Sequence, residues 1–268
     1  MRTSWLAGLA IAFSGFLSSP AIADTSDRCE GNQACQIKDR SYHVRAPKGW
    51  DGKTPLPVLL YFHGWGRTGL NPINNPKVGG ATDSNNVLLV APNGIRRSWD
   101  FWDYDSRDTP FVDKVLADVS ARWPIDRKRI FISGYSYGAA MAWRLACERG
   151  SEFAGYLSIA GTLWRQNDIQ CAGGPVNLAH VHGLRDNVMD LPTGTDGDPL
   201  NGIALWRRIN QCEGRPDQIE ETGTFTCYAW SSCGSGKRTS ACFHKSGHLI
   251  PKGWLNATLK QVLREPAS

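Results

Sequence analysis

The stretch from Arg129 to Ala146, RIFISGYSYGAAMAWRLA, runs from an apolar alternating segment through a serine between two glycines into a row of small residues. A serine hydroxyl is a poor nucleophile at neutral pH. It becomes an effective one when a neighbouring base takes its proton, an acid orients that base, and N–H donors receive the oxyanion that forms. Ser136 is the candidate nucleophile, and a plain turn serine is the competing reading. Gly134 and Gly138 have a purpose in the first reading: the turn is strained and the helix behind it must pack closely on the strands. Ala139, Ala140 and Ala142 suit that packing.

The other groups are found at the ends of other apolar runs. His63-Gly64-Trp65-Gly66 follows LPVLLYF, and its main-chain N–H groups, with Trp65 central and the Tyr137 amide beside the serine, are the expected oxyanion donors. Asp186 lies in HGLRDNV and is the expected orienting acid, with Asp190, Asp196 and Asp198 as near rivals. His248, in KSGHLIP, is the expected base. His244, His180 and His182 compete with it, the last two from within or at the end of a strand, where a structural role is commoner. His63 is expected to order the oxyanion turn from the substrate side. Trp99 and Trp102, in the aromatic stretch RRSWDFWDYDSRD, are expected to line the acyl group, unless these rings simply cover the core beneath a long loop.

These groups need a scaffold that brings strand ends together. Tyr42–Pro47 alternates as a half-buried strand does, whereas Leu56–Gly64 and Asn86–Gly94 are continuous apolar runs of the kind buried on both faces of a parallel sheet. A helix follows, with Asp108 or Thr109 as cap, Pro110 in the first turn, a stripe of Phe111, Val115, Val119 and Trp123, and Pro124 as its stop. RIFISG is then a strand and Tyr137–Arg149 a helix. Phe153–Gly161 and Pro175–Gly183 read as strands, Leu200–Asn210 and Gly253–Leu263 as helices. The alternation predicts an α/β fold, a mostly parallel sheet with helices on both faces, and in such sheets functional groups collect beyond the carboxyl ends of the strands. Between Gln211 and Cys242, TFTCYAW and RTSACF predict a disulfide-stapled hairpin at the sheet edge near the C-terminus.

Arg2, the uncharged run Trp5–Leu17 and Ala21-Ile22-Ala23 predict a signal peptide over residues 1–23, cut after Ala23. The run is shorter than the ~20 residues a membrane span needs. Residues 24–268 are then expected to form a single catalytic domain, secreted or periplasmic. All eight cysteines fall in it, and four disulfides are expected. Cys29 with Cys35 and Cys147 with Cys171 are the simplest pairs, leaving Cys212, Cys227, Cys233 and Cys242 to staple the edge. No metal-ligand spacing is evident among them. Scattered lysines and arginines with a net charge of +5 argue against a nucleic-acid partner. No membrane span is expected in the mature chain, and a monomer is expected.

The order Ser136, Asp186, His248, each on a post-strand loop, is that of an α/β-hydrolase triad. In order and spacing, YFHGWG, GYSYGAAMAWRLA, HGLRDNV and SGHLIP resemble the secreted polyhydroxybutyrate depolymerase and feruloyl esterase group of α/β-hydrolases. The likeness covers Tyr42 to Trp254. It departs around the histidine, where Ser246-Gly247 and Leu249-Ile250-Pro251 replace the paired glycines and Trp-Pro of that group. The resemblance implies a serine esterase that needs no metal or organic cofactor. Its substrate would be a feruloyl or acetyl ester of plant polysaccharide, or a hydroxybutyrate oligoester. A non-catalytic carbohydrate-binding protein on the same scaffold is the alternative from another class.

Overall fold

The computed structural model describes residues 28–102, 105–163, 170–189 and 201–265. The leader expected over residues 1–23, Tyr104, and the rival carboxylates Asp190, Asp196 and Asp198 lie outside them. Ten strands form one sheet: β1 (Cys35–Ile37), β2 (Arg40–Arg45), β3 (Leu56–Phe62), β4 (Leu88–Pro92), β5 (Ile125–Tyr135), β6 (Gly155–Ile159), β7 (Leu178–Gly183), β8 (Gln218–Thr222), β9 (Phe225–Trp230) and β10 (Thr239–His244). Their spatial order is β1-β2-β4-β3-β5-β6-β7-β10-β9-β8. The six central strands, β4 through β10 in that order, are parallel, and the two strands at each margin pair antiparallel.

Six helices are described: α1 (Leu70–Asn74), α2 (Pro76–Ser84), α3 (Thr109–Arg122), α4 (Tyr137–Arg149), α5 (Asn201–Ile209) and α6 (Trp254–Val262). Period-two alternation along β3 separates them into layers. Val58, Leu60 and Phe62 join Val112, Val115 and Val119 of α3, Trp143 of α4 and Trp206 of α5 in one core. Leu59 and Tyr61 join Val78 of α2 and Trp254, Leu255 and Leu259 of α6 on the other face. Burial on both sides explains why the central strands read as unbroken apolar runs, and each fully buried large side chain contributes roughly 1.5–3 kcal/mol. None of the described helices is long and apolar enough to cross a membrane.

Asp108 stands at the start of α3 but does not cap it with its side chain. Its carboxylate instead accepts the Asp100 N–H at 2.7 Å and pairs with Arg40 at 2.6 Å, tying down the aromatic loop that follows β4. The disulfides are Cys29–Cys35, Cys147–Cys171, Cys212–Cys233 and Cys227–Cys242. The last joins directly opposed residues of β9 and β10. The stapled hairpin therefore exists, with one change. β10 is not an edge strand: it pairs in parallel with β7, and the margin is the exposed strand β8.

Candidate active site

Because β3, β5, β7 and β10 are parallel, the loops bearing His63, Ser136, Asp186 and His248 leave the sheet at the same edge. Ser136 joins β5 to α4 with φ 57° and ψ −119°, a backbone region that costs a non-glycine residue about 1–3 kcal/mol and is held only when its surroundings enforce it. The enforcement is visible. The Ser136 N–H donates to Ile159 O at 3.0 Å, and Ala140 N–H donates to Ser136 O at 3.0 Å. A Cβ at Gly134 would strike the Gly138 carbonyl, and one at Gly138 would strike the carbonyls of Phe62 and His63. Both glycines are required for the turn to close against β3. The Ser136 side chain forms no hydrogen bond with any described residue.

Asp186 and His248 are 62 residues apart and meet. Leu184 N–H donates to His244 O at 2.8 Å and Arg185 N–H to Ser246 O at 3.1 Å, so the loops after β7 and β10 are laced together. Gly183 lies too close to Ser246 and Gly247 for a Cβ. His248 Nδ1 is 2.6 Å from Asp186 Oδ2. A carboxylate only accepts, so the proton sits on Nδ1, and Nε2 of the neutral ring carries the lone pair. The aspartate side chain is fully buried. Burial alone would raise its pKa, but the Met189 amide, the His248 ring and the Val188 amide outweigh that and hold it below the usual carboxylate range. The two amides each donate to Oδ1 at 2.9 Å. Tyr135, the residue before the serine, stacks on the His248 ring at 4.9 Å and donates its hydroxyl to His248 O at 3.1 Å, which places the imidazole loop beside the elbow.

The amides expected as oxyanion donors are open. Tyr137 is the first residue of α4, whose N–H has no partner within the helix, and the Trp65 N–H has no partner among the described residues, while Gly66 and Arg67 N–H groups are used by Arg97 O and Gly64 O.

His63 and Trp99 are both held by hydrogen bonds next to the turn after β3. His63 is 1% exposed, with Nδ1 donating to Gly64 O at 2.8 Å and Nε2 accepting the Gly94 N–H at 3.0 Å. Burial pushes its pKa down to about 4. Trp99 is 2% exposed, sits edge-on to Phe62, and donates its indole N–H to His63 O at 2.7 Å. Both brace the His63–Gly66 turn, and Trp99 is covered within the core. Trp102 is half-buried on Phe101 and edge-on to Tyr137 at 5.7 Å, and exposed Trp65 stands 6.5 Å from Tyr137. Beside Tyr135 lies a cleft of about 240 Å³ whose walls include Tyr61, His63, Arg67, Asn71, Asn75 and Ile250. Sequence reading gave Tyr135 no role beside the histidine; its position immediately before the elbow serine is the signal.

A serine in a strained turn, a part-buried carboxylate–imidazole pair and two amides without a described partner gather beyond the carboxyl ends of the parallel strands on an α/β-hydrolase scaffold. The chain has that fold: the acetyl xylan esterase from Aspergillus awamori superposes with a TM-score of 0.66 at 12% identity, covering 87% of this chain and 99% of that one. A family model described as Phospholipase/Carboxylesterase matches residues 108–200. Feruloyl esterase C of Emericella nidulans is 28% identical over 170 residues, 61% of either protein. A probable feruloyl esterase C of Aspergillus niger is 24% identical over 227 residues, 81% of this chain and 79% of that protein. The match thus spans 61% of the length of the first relative. Both feruloyl esterase C proteins are thus similar to this chain at 24–28% identity.

Proposed function

We propose that the protein is a secreted serine esterase that cleaves carboxylic esters through an acyl-enzyme. The observation that carries this is the part-buried Asp186–His248 pair at 2.6 Å, on a loop that Tyr135 ties to the strained turn of Ser136. His248 Nε2 takes the proton of Ser136 as Oγ attacks the ester carbonyl. The N–H groups of Trp65 and Tyr137 receive the oxyanion. His248 then protonates the leaving alcohol and activates the water that releases the acid. Closing the serine–imidazole bond on substrate binding is in keeping with how such contacts tighten only in the reacting complex. Four disulfides suit an oxidising compartment.

Feruloyl and acetyl esters of plant polysaccharide are the favoured substrates, ahead of hydroxybutyrate oligoesters. The relatives named feruloyl and acetyl xylan esterases support that choice. So do the aromatic ledge of Trp65, Trp102 and Tyr137, suited to a phenolic ring, and the cleft walled by Arg67, Asn71 and Asn75, suited to hydroxyl groups. The test is a panel of methyl ferulate, acetylated xylan and hydroxybutyrate oligomers, run with native protein and Ser136→Ala. Turnover of either of the first two that is lost in Ser136→Ala supports the proposal. Sugar binding without turnover of any ester supports the non-catalytic carbohydrate-binding alternative.

A further inference from the structure

Next to Asp186 lie three buried polar side chains for which the acyl-transfer cycle has no use: His182, His180 and Ser158. His180 and His182 alternate with Ala179 and Val181 along β7, so both rings project from one face of the strand. Ser158 is paired with His180 across the parallel register of β6 and β7. All three are 1% exposed or less.

Their hydrogen bonds connect end to end. His182 Nε2 is 2.7 Å from Met189 O and 3.2 Å from Asp186 Oδ2. Both partners are oxygens that only accept, so His182 carries its proton on Nε2. In a neutral ring Nδ1 then accepts, and it lies 3.2 Å from His180 Nε2, which must be the donor. His180 Nδ1 accepts in turn from the Ser158 hydroxyl at 3.0 Å. The polarity runs one way, from Ser158 through both rings to Met189 O, with Asp186 Oδ2 3.2 Å from the same Nε2–H. Reversing it would set a nitrogen lone pair against two oxygens. Neutral rings fit the surroundings. Burial lowers the pKa of His180, helped by His182. Burial also lowers that of His182, opposed by Met189 O and Asp186 and reinforced by His248. The titratable groups facing the chain are Asp186 and His248 at its end, His244 on neighbouring β10, and Tyr135, which faces Asp186 from β5. Trp143, packed 5.5 Å from the His180 ring, brings no charge.

We propose that Ser158, His180 and His182 form a buried one-way hydrogen-bond chain that holds Asp186 in place and tunes its grip on His248, with His182 as the positioning residue in contact with the carboxylate. The inference rests on the triad reading for its catalytic consequence. The His182 Nε2–H lies 3.2 Å from the oxygen that accepts from His248, so its dipole draws off part of the acceptor strength that His248 would otherwise feel. Through Met189 O it also ties the far end of the Asp186 loop to β7. Removing the donor should therefore loosen the carboxylate and, at the same time, strengthen the remaining Asp186–His248 bond. The protonated form of His248 gains from that, and the acid limb of kcat/KM moves to higher pH. A filler with only a packing role would not move that limb.

The test compares His182→Phe with His182→Gln on p-nitrophenyl butyrate across pH. His182→Phe is expected to lose about 10-fold or more in kcat, the scale of one hydrogen bond to a charged group, with KM little changed and the acid limb displaced upward. His182→Gln, whose amide N–H can reach the same oxygens, is expected to recover most of both. A His182→Phe enzyme with native kcat and an unmoved acid limb overturns the proposal, and so does a glutamine variant no better than phenylalanine. ¹⁵N NMR of the native protein gives a readout independent of activity and of any folding defect in the variants. Both rings should be neutral with the proton on Nε2 from about pH 8 down to the ordinary imidazole value of about 6.5. A proton on Nδ1 of His182, or charging of either ring within that range, overturns the chain. Should Ser136→Ala retain turnover, the triad reading falls while the ring tautomers still decide the chain on their own.

Discussion

Replacing Asp186 by asparagine changes one oxygen to an N–H₂ group at nearly constant shape. Oδ1 now accepts two backbone N–H groups at 2.9 Å, and Oδ2 faces two ring N–H groups, His248 at 2.6 Å and His182 at 3.2 Å. An amide has one accepting oxygen, so one pair of donors must lose. Keeping the oxygen on Val188 and Met189 satisfies the backbone and points N–H₂ at two N–H donors. His248 escapes by moving its proton to Nε2, which places a hydrogen where the serine needs a lone pair. A base in the wrong tautomer costs about 10⁴-fold in kcat, or roughly 5.5 kcal/mol at 1.36 kcal/mol per decade. The fold loses far less, because the loop anchors remain and His182 keeps Met189 O as its acceptor. Steady-state hydrolysis of p-nitrophenyl acetate together with urea unfolding separates the two quantities. A variant that is stably folded with kcat within 10-fold of native would refute the assignment of Asp186 as the group that orients the base.

Three further outcomes are expected. Replacing Cys227 and Cys242 together by serine opens a bridge with a sequence separation of 15 and should lower stability in urea by about 3 kcal/mol; an unchanged midpoint contradicts this. His63 is held neutral by burial, with its pKa down at about 4, so between the ordinary imidazole value and that point the unfolded chain binds more protons than the folded one. Stability should therefore fall by roughly 3 kcal/mol as the pH drops from about 6.5 to about 4 and level off below, with His180 and His182 acting in the same direction; a His63→Leu protein that still folds should show a shallower acid slope in thermal melts, and an equal slope contradicts the assignment. Trp65→Ala removes the exposed ring beside Tyr137 and should raise KM for methyl ferulate roughly 3- to 10-fold while leaving p-nitrophenyl acetate hydrolysis intact. Equal effects on both substrates would remove the ring from acyl recognition.

The central strands, α3, α4 and the terminal helix were legible in the sequence because both physical signals were strong there: apolar runs buried on two faces, and proline or glycine at the element ends. The segment carrying α1 and α2, LNPINNPKVGGATDS, was not, since its prolines, glycines and asparagines break any apolar stripe. β8 was missed because all its residues are exposed and no alternation survives. At the site, the residues that perform chemistry stand on loops with few neighbours in sequence to disguise them. Their supports were harder to see. His63 and Trp99 carry the residue types of a binding wall, and only packing shows that their polar atoms are consumed by Gly64, Gly94 and each other. His180 and His182 did leave a trace, the i, i+2 spacing along β7 that sets both rings on one face, but what lies behind that face depends on β6 and the Met189 loop, far away in the chain.

The central claim is that Ser136 Oγ is the nucleophile activated by His248. Mass spectrometry after treatment with an alkyl p-nitrophenyl phosphonate tests it most directly. The account expects one adduct per chain, on the peptide containing Ser136, formed with loss of p-nitrophenolate and abolished in His248→Ala. Stoichiometric labelling of a different residue, or full labelling of Ser136 in the absence of His248, would contradict it.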